Sequence, residues 1–276
     1  MMCHLLAAEI LTLCLFYFLP KVESIRGQQV FSVKDVYLFP TLIIEENDAR
    51  TEEKRLCTGS IITKNQVLTG ASCLENAKLQ NLLVIMLSAF KPIPGVNSFK
   101  VSTKLTYNDF KKKKEETGNF LFQQIEDICI LTLNTDRLPI TPVSISYDAD
   151  NPTFASPVKF IGWGTTKDKG LPRTARCAQI QVLKKQECDR ISQIAQIVYR
   201  KYVWANSVFC AQRSIYPVHA FDADFGGPVL SDDDKLVGIA IQPMKDSGTI
   251  VRTTSEEAVF VLRLAHYKEF IQENSH

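Results

Sequence analysis

The side chains that could carry acid–base, nucleophilic or metal chemistry are few and scattered along this chain. It has four histidines and eight cysteines among 276 residues. The cysteines form no C-x-x-C pair and the histidines form no cluster, so zinc-type ligand spacing is absent, and we predict neither a metal nor another cofactor. The segment DADFGGPVL, residues 222–230, stands out because it sets two aspartates beside a rigid Gly-Gly-Pro turn.

The first 24 residues have the composition of a secretory signal. An apolar run covers residues 5–19 and ends at Pro20, and Val22 and Ser24 occupy the two positions that a signal peptidase reads. The run is shorter than the roughly 20 residues of a membrane span, which argues against the alternative of a membrane anchor. We therefore predict a signal peptide at 1–24, a secreted chain at 25–276, and no membrane association after cleavage.

Secretion changes what the remaining cysteines are expected to do, because an oxidising compartment favours disulfides. A formal net charge of +2 is too small to predict a nucleic-acid partner or an anionic membrane surface. The six cysteines that follow the predicted signal are Cys57, Cys73, Cys129, Cys177, Cys188 and Cys210.

Most of the chain after the signal consists of short β-branched or apolar runs separated by polar, glycine or proline turns. Examples are TLIIEE, DICILTLN and KLVGIAIQP. Their regular spacing predicts an all-β barrel or sandwich. Apolar residues recur every three to four positions between Lys184 and Tyr202 and again from Leu264 to Ile271, which predicts two helices. The run KKKKEE at 111–116 is predicted to be a solvated loop, with a docking patch as the alternative.

Five segments, in this order and spacing, resemble the trypsin-like (chymotrypsin-fold) serine proteases. The resemblance implies two packed six-stranded antiparallel β-barrels and a closing helix, with the active site in the crevice between the barrels. It covers roughly residues 29–273, which divide into halves at about 29–145 and 146–273. The segments are CTGSIITKNQVLTGASC, DICILTL, FIGWGTT, FCAQRS followed by DADFGGPVL, and AVFVLRLAHYKEFIQ.

The same resemblance assigns the positions of a catalytic triad. The histidine position, immediately before Cys73, is Ser72, which cannot act as a base near neutral pH. Asp127 keeps the aspartate position, and we expect its carboxylate to bond to local groups, Ser72 among them. The serine position is Phe225, which has no nucleophilic atom. We expect its ring to cap the old crevice near Ser72 and Asp127 and to lie outside the core.

The substrate pocket and the oxyanion hole implied by the resemblance are altered as well. Ala223 replaces the glycine that donates an oxyanion-hole N–H, and alanine tolerates a positive φ poorly. Phe221 replaces a cysteine that would brace the pocket. His219 lies at the pocket base, where we expect a pocket or surface histidine. The opposite wall reads Ile241-Gln242-Pro243, and Pro243 has no N–H for a substrate strand. Together with Asp224, these residues form the remnant pocket.

Activation in the resembling family cuts the chain before an Ile/Val-Val-Gly-Gly start, and the new amine pairs with the aspartate that precedes the serine. That aspartate is Asp224 here. The start should fall near Gln28, but the sequence GQQVFS has no such motif, and a cut after Arg26 would expose Gly27. We therefore expect Asp224 to pair elsewhere or to stay in a zymogen-like arrangement.

The resemblance also implies two disulfides, Cys57–Cys73 around the histidine turn and Cys188–Cys210 below the pocket. Each would stabilise the chain by about 3 kcal/mol, mainly by restricting the unfolded state. Cys129 and Cys177 have no partner in the family pattern. Cys129 lies in an apolar strand and is expected to be a buried free thiol, while pairing with Cys177 or with another chain is the alternative.

These losses predict a secreted, non-catalytic serine protease homologue. It would act as a cofactor, decoy or scaffold for active serine proteases or other extracellular proteins, in an immune or reproductive fluid. Its candidate docking surfaces are the old crevice, the basic segment 110–118 and the insert 188–210. The alternatives are an unconventional hydrolase that uses Ser72 with a lysine, and a carrier that binds a ligand in the remnant pocket.

Overall fold

The fold is taken from a computed structural model of the chain. It describes residues 31–32, 38–47, 53–86, 96–114, 126–148, 150, 152–163, 175–194, 207–212, 223–241 and 258–276. The predicted signal, the candidate cleavage site at Arg26 and residues 195–206 of the insert 188–210 lie outside these residues. No helix among the described residues is both long and apolar enough to cross a membrane.

Six strands near the amino terminus close into an antiparallel barrel in the order β2-β3-β4-β7-β6-β5. Their apolar side chains point inward because successive residues of a strand face opposite sides of the sheet. Ile43 and Leu68, for example, are fully buried. The strands are β2 Pro40–Glu46, β3 Glu53–Ile61, β4 Gln66–Thr69, β5 Leu82–Met86, β6 Ser98–Thr106 and β7 Cys129–Leu133.

The next six strands form a second closed ring in the order β8-β9-β10-β13-β12-β11, with β11 returning to β8. The short strand β1, Phe31–Ser32, adds to the outside of β9. The fold prediction of two six-stranded antiparallel barrels with a closing helix is confirmed. The strands are β8 Pro157–Gly162, β9 Arg176–Val182, β10 Val208–Gln212, β11 Pro228–Leu230, β12 Leu236–Ala240 and β13 Val259–Arg263.

Two apolar clusters hold the barrels together. One fills the second barrel and includes the fully buried Phe160 and Val261. The other fills the first barrel, includes second-barrel residues such as Phe260, and continues to the carboxyl-terminal helix, where Phe270 packs edge-on against Tyr107 and Phe110. The cluster that contains Phe270 therefore links the first barrel to the end of the chain.

Helices occur at both positions where the apolar periodicity predicted them. Helix α2 covers Lys185–Ile194, and a 3-10 turn at Leu264–Tyr267 leads into α3 at Lys268–Asn274. Residues 195–202 of the first predicted helix lie outside the described part of the chain.

The predicted loop at 111–116 is wrong for its first four residues, because helix α1 covers Tyr107–Lys114. The Thr106 hydroxyl accepts a hydrogen bond from the Asp109 N–H at 3.2 Å, and the Asp109 carboxylate accepts one from the Thr106 N–H at 3.3 Å. Such reciprocal bonding starts a helix by satisfying its first N–H groups. The lysines then continue the helix, since lysine has a good helix propensity.

Both disulfides implied by the family pattern are present. Cys57 and Cys73 have Cα atoms 6.0 Å apart, and Cys188 and Cys210 have Cα atoms 5.4 Å apart. Cys129 is a buried free thiol, as expected, and Cys177 is a second one, so the alternative pairing between them does not form. Burial raises the pKa of Cys129 to about 12 and that of Cys177 to about 11, which favours the protonated thiol at both positions at neutral pH.

Candidate functional site

Ser72 and Asp127 are held directly against each other by two hydrogen bonds. Ser72 begins a 3-10 turn after β4, and Asp127 lies two residues before β7. The Ser72 N–H donates to Asp127 Oδ1 at 2.7 Å, and the Ser72 hydroxyl donates to Oδ2 at 2.9 Å. Asp127 is only 1% exposed. The expectation that Ser72 is among the local partners of this carboxylate is confirmed.

This pair has the acid and a hydroxyl of a triad but not its base. A carboxylate is far too weak a base to take the proton of a serine hydroxyl at neutral pH. The Ser72 proton is directed at Asp127, so the carboxylate acts as a hydrogen-bond acceptor. The arrangement stabilises the turn after β4 rather than activating a nucleophile.

The turn that follows Ala223 keeps an unusual backbone. Ala223 has φ +71° and Gly226 has φ +78°. Within the turn, the Gly227 N–H donates to the Asp224 carbonyl at 3.0 Å, and the Gly226 N–H bonds the turn to the end of β12 by donating to the Ala240 carbonyl at 2.7 Å. Ala223 therefore adopts a positive φ, which alanine tolerates poorly, and its Cβ costs the fold about 1–2 kcal/mol.

Thr58, on β3 of the first barrel, fixes this turn of the second barrel. Its N–H donates to the Phe225 carbonyl at 3.0 Å, and its hydroxyl donates to the Ala223 carbonyl at 2.6 Å. The same hydroxyl accepts the Trp163 N–H at 3.2 Å. Sequence reasoning missed Thr58 because its bond to Ala223 joins residues 165 positions apart. In the sequence, the one sign of a structural role for Thr58 was its position directly after Cys57.

The Gly-Gly pair is retained because the backbones of the two barrels meet there. A Cβ on Gly226 would lie 2.2 Å from Thr69 Oγ1 and 2.6 Å from the Gly70 nitrogen. A Cβ on Gly227 would lie 2.5 Å from the Ile161 carbonyl oxygen. No side chain fits at either position, so the turn preserves the barrel junction whatever residue precedes it.

Phe225 does not behave as predicted. Its side chain is 6% exposed and belongs to the apolar cluster of the second barrel, with Phe160 and Val229. The prediction that the ring caps the crevice and lies outside the core is therefore wrong. The physical reason is that a phenyl ring gains more from complete burial against apolar neighbours than from partial contact in an open crevice.

Of the remnant pocket, the structure describes Ala223, Asp224 and Ile241, all buried. The Ile241 N–H donates to the Phe260 carbonyl at 2.9 Å, so this residue is paired with the neighbouring strand. His219, Phe221, Gln242 and Pro243 lie outside the described residues. The predictions for the pocket base and its opposite wall therefore stay predictions.

A second carboxylate, Glu126, lies next to Asp127 and was missed. It is 3% exposed and accepts a hydrogen bond from the hydroxyl of Tyr267, in the turn before α3. Burial raises the pKa of Glu126, against the lowering effects of the Tyr267 hydroxyl and of the charges on Lys111 and His266. Burial and the neighbouring carboxylate also raise the pKa of Tyr267. This hydrogen bond links Glu126, the residue before Asp127, to the turn that precedes the carboxyl-terminal helix.

We expect the raised pKa of Glu126 to make stability fall as pH rises. The folded chain binds this proton more tightly than the unfolded chain, so the contribution is complete below the ordinary value of 4.5 and is lost as pH passes the raised value. Glutamine does not titrate, so Glu126→Gln should lack this loss of stability. The difference between its free energy of unfolding and that of the wild type should therefore increase as pH rises through that window. Urea denaturation at several pH values measures it.

Tyr267→Phe is the matched variant for this test, because it removes a bond that lowers the pKa of Glu126. Its pH-dependent loss of stability should move to higher pH. Parallel pH profiles for the wild type and Glu126→Gln would contradict the interpretation.

Two closed six-stranded antiparallel barrels, with a Gly-Gly turn of the second locked against the first, are the architecture of chymotrypsin-like serine proteases. The family model described as Trypsin matches residues 43–267. The chain belongs to this family.

Similar proteins include a trypsin, another serine protease and a protease paralogue described as inactivated. A trypsin of Simulium vittatum is 24% identical over 66% of this chain and 68% of its own length. Human serine protease 41 is 25% identical over 68% of this chain, and the match spans 59% of that protein. The crystal structure of a scabies mite inactivated protease paralogue, S-D1, has 18% identity and a TM-score of 0.65, covering 90% of this chain and 95% of that one.

Proposed function

We propose that this chain is a secreted, catalytically inactive member of the trypsin family that works by binding other extracellular proteins. The observation that carries the proposal is the Ser72–Asp127 pair, in which a hydroxyl bonded to the carboxylate stands where the resemblance requires an imidazole. A protease that loses members of its triad loses roughly 10⁶-fold in rate. The position that carries the base in the family's hydrolytic mechanism therefore holds a hydroxyl that cannot begin it.

The position of Phe225 supports the same proposal. A phenyl ring offers no nucleophile, and this one is buried among the apolar side chains of the second barrel. The alternative hydrolase would need Ser72 to be activated, but its hydroxyl donates to Asp127 at 2.9 Å. A binding function needs neither group and requires only that the barrels stay folded.

The contacts that preserve the scaffold are intact, which fits selection for a surface rather than for a reaction. Thr58 bonds to the turn at Ala223 and Phe225, and two disulfides brace the strands. Of the candidate docking surfaces, helix α1 carries an exposed Lys112 beside the partly exposed Lys111. Active serine proteases and other proteins of an immune or reproductive fluid are the proposed partners.

Capture from the secreted fluid tests the binding proposal. The mature chain, immobilised through its carboxyl terminus at micromolar concentration, should retain one or more extracellular proteins that a chemically denatured sample of the same chain does not retain. Partners should then be re-tested as purified proteins by titration. Failure to retain any protein above that control would contradict a binding function.

A further inference from the structure

The carboxylate of Asp224 lies in the space that a side chain on Gly162 would fill. Asp224 is fully buried, and a Cβ built on Gly162, the last residue of β8, would lie 2.0 Å from Asp224 Oδ1. The buried carboxylate therefore packs against the face of the second-barrel sheet, where the pairing of β8 with β9 ends. Burying an aspartate there is costly unless its charge is compensated.

Arg176 is the residue directly across that ladder. It begins β9, and its Cα pairs with that of Gly162 in the antiparallel register. Side chains directly opposite each other on one face have Cβ atoms about 4.5–5.5 Å apart. Because the Asp224 carboxylate occupies the Gly162 side-chain position, it lies beside the stem of Arg176, well within the reach of an arginine. Arg176 is half-buried, so its charge is poorly screened by water.

The electrostatic interaction of these two residues is consistent with that placement. Burial lowers the pKa of Arg176, and the negative charge of Asp224 opposes this by favouring the protonated guanidinium. An arginine keeps its charge at any physiological pH, so the compensation is permanent. This compensation of the Asp224 charge does not require a newly created amino terminus.

We propose that Arg176 is a built-in counter-cation for Asp224, which holds the 223–227 turn in its ordered conformation without proteolytic release of an amino terminus. In the resembling family, a cut creates the amine that pairs with this aspartate. Here the cation is supplied by β9 of the same barrel, so the surface around the turn is available in the uncut chain. This inference goes beyond the binding function and holds whether or not the chain binds a partner.

Hydrogen exchange of the amides in 223–227 tests the proposal in the mature chain beginning at Ile25. Removing one partner of a buried charge pair costs several kcal/mol, so Arg176→Met should speed exchange at the turn on the order of a hundredfold. Arg176→Lys, which keeps the charge, should speed it far less. Arg190→Met, an exposed arginine on α2 that pairs with Glu187, is the matched control and should leave the turn unchanged.

Two further measurements separate this proposal from pairing with a new amino terminus. The double variant Arg176→Met/Asp224→Asn should exchange no faster than the faster single variant, because the two side chains act together. A chain beginning at Gly27 should exchange at the same rate as the one beginning at Ile25. The proposal is overturned if Arg176→Met matches Arg190→Met, if Met and Lys have equal effects, or if the Gly27 chain is protected in an Asp224-dependent way.

Discussion

Restoring serine at the nucleophile position, by Phe225→Ser, should destabilise the chain by about 3–5 kcal/mol and should create no protease. The ring is 6% exposed and packs in the second-barrel cluster. Removing a core phenyl ring loses its transfer free energy and leaves a cavity, which costs about that much in other proteins. The new hydroxyl would also be placed among apolar side chains without a base. Guanidinium denaturation measures the loss.

Phe154→Ser is the control for this variant. Phe154 is 58% exposed, so its replacement should change the free energy of unfolding by no more than about 0.5 kcal/mol. Equal effects of the two substitutions would show that Phe225 is not a core residue. Peptide hydrolysis by Phe225→Ser would show that a base is present after all.

Replacing Gly226 with alanine should have an effect of similar size for a different reason. The added Cβ would meet Thr69 Oγ1 at 2.2 Å and backbone atoms of Gly70 and Thr58 at 2.6 Å. It would also sit at φ +78°, where an L-residue costs about 1–2 kcal/mol. With the overpacking of a rigid junction added, the loss should reach roughly 2–5 kcal/mol. Thermal and denaturant unfolding measure it.

The neighbouring substitution Ala223→Gly should act in the opposite direction. Ala223 already has φ +71°, so glycine removes strain and should stabilise the chain by up to about 1 kcal/mol. A gain at Ala223 and a loss at Gly226 would show that the turn has this backbone. Loss of stability at both positions, or at neither, would contradict it.

The strands could be predicted from the sequence because they depend on local patterns, whereas the two barrels and the Ser72–Asp127 pair, 55 residues apart, followed from the resemblance to the trypsin-like family. Apolar runs separated by turns identify the strands, and Ser72 and Asp127 flank recognisable cysteine and apolar-strand blocks. Helix α1 was also readable, since Thr106 and Asp109 have the spacing of a capping box. The loop prediction is wrong there because a run of lysines is typical of a solvated loop and the capping residues precede it.

Contacts between distant segments could not be predicted in the same way. Thr58 reaches Ala223, and Glu126 reaches Tyr267, only after both barrels have closed. The position of Phe225 was predicted wrongly because the sequence shows that a phenyl ring follows Asp224 but not which apolar surface it can reach. The place of Asp224 beside Arg176 depends on the β8–β9 register, which one chain's sequence does not reveal.

Covalent labelling with a phosphonate that reacts with active-site serines tests the central claim most directly. The part of the chain that the structure describes positions no base to activate Ser72, and Phe225 has no nucleophilic atom, so intact-mass measurement should detect no adduct under conditions that label trypsin completely. A stoichiometric adduct on the wild-type chain that disappears in Ser72→Ala would show that this serine is activated, and it would contradict the account.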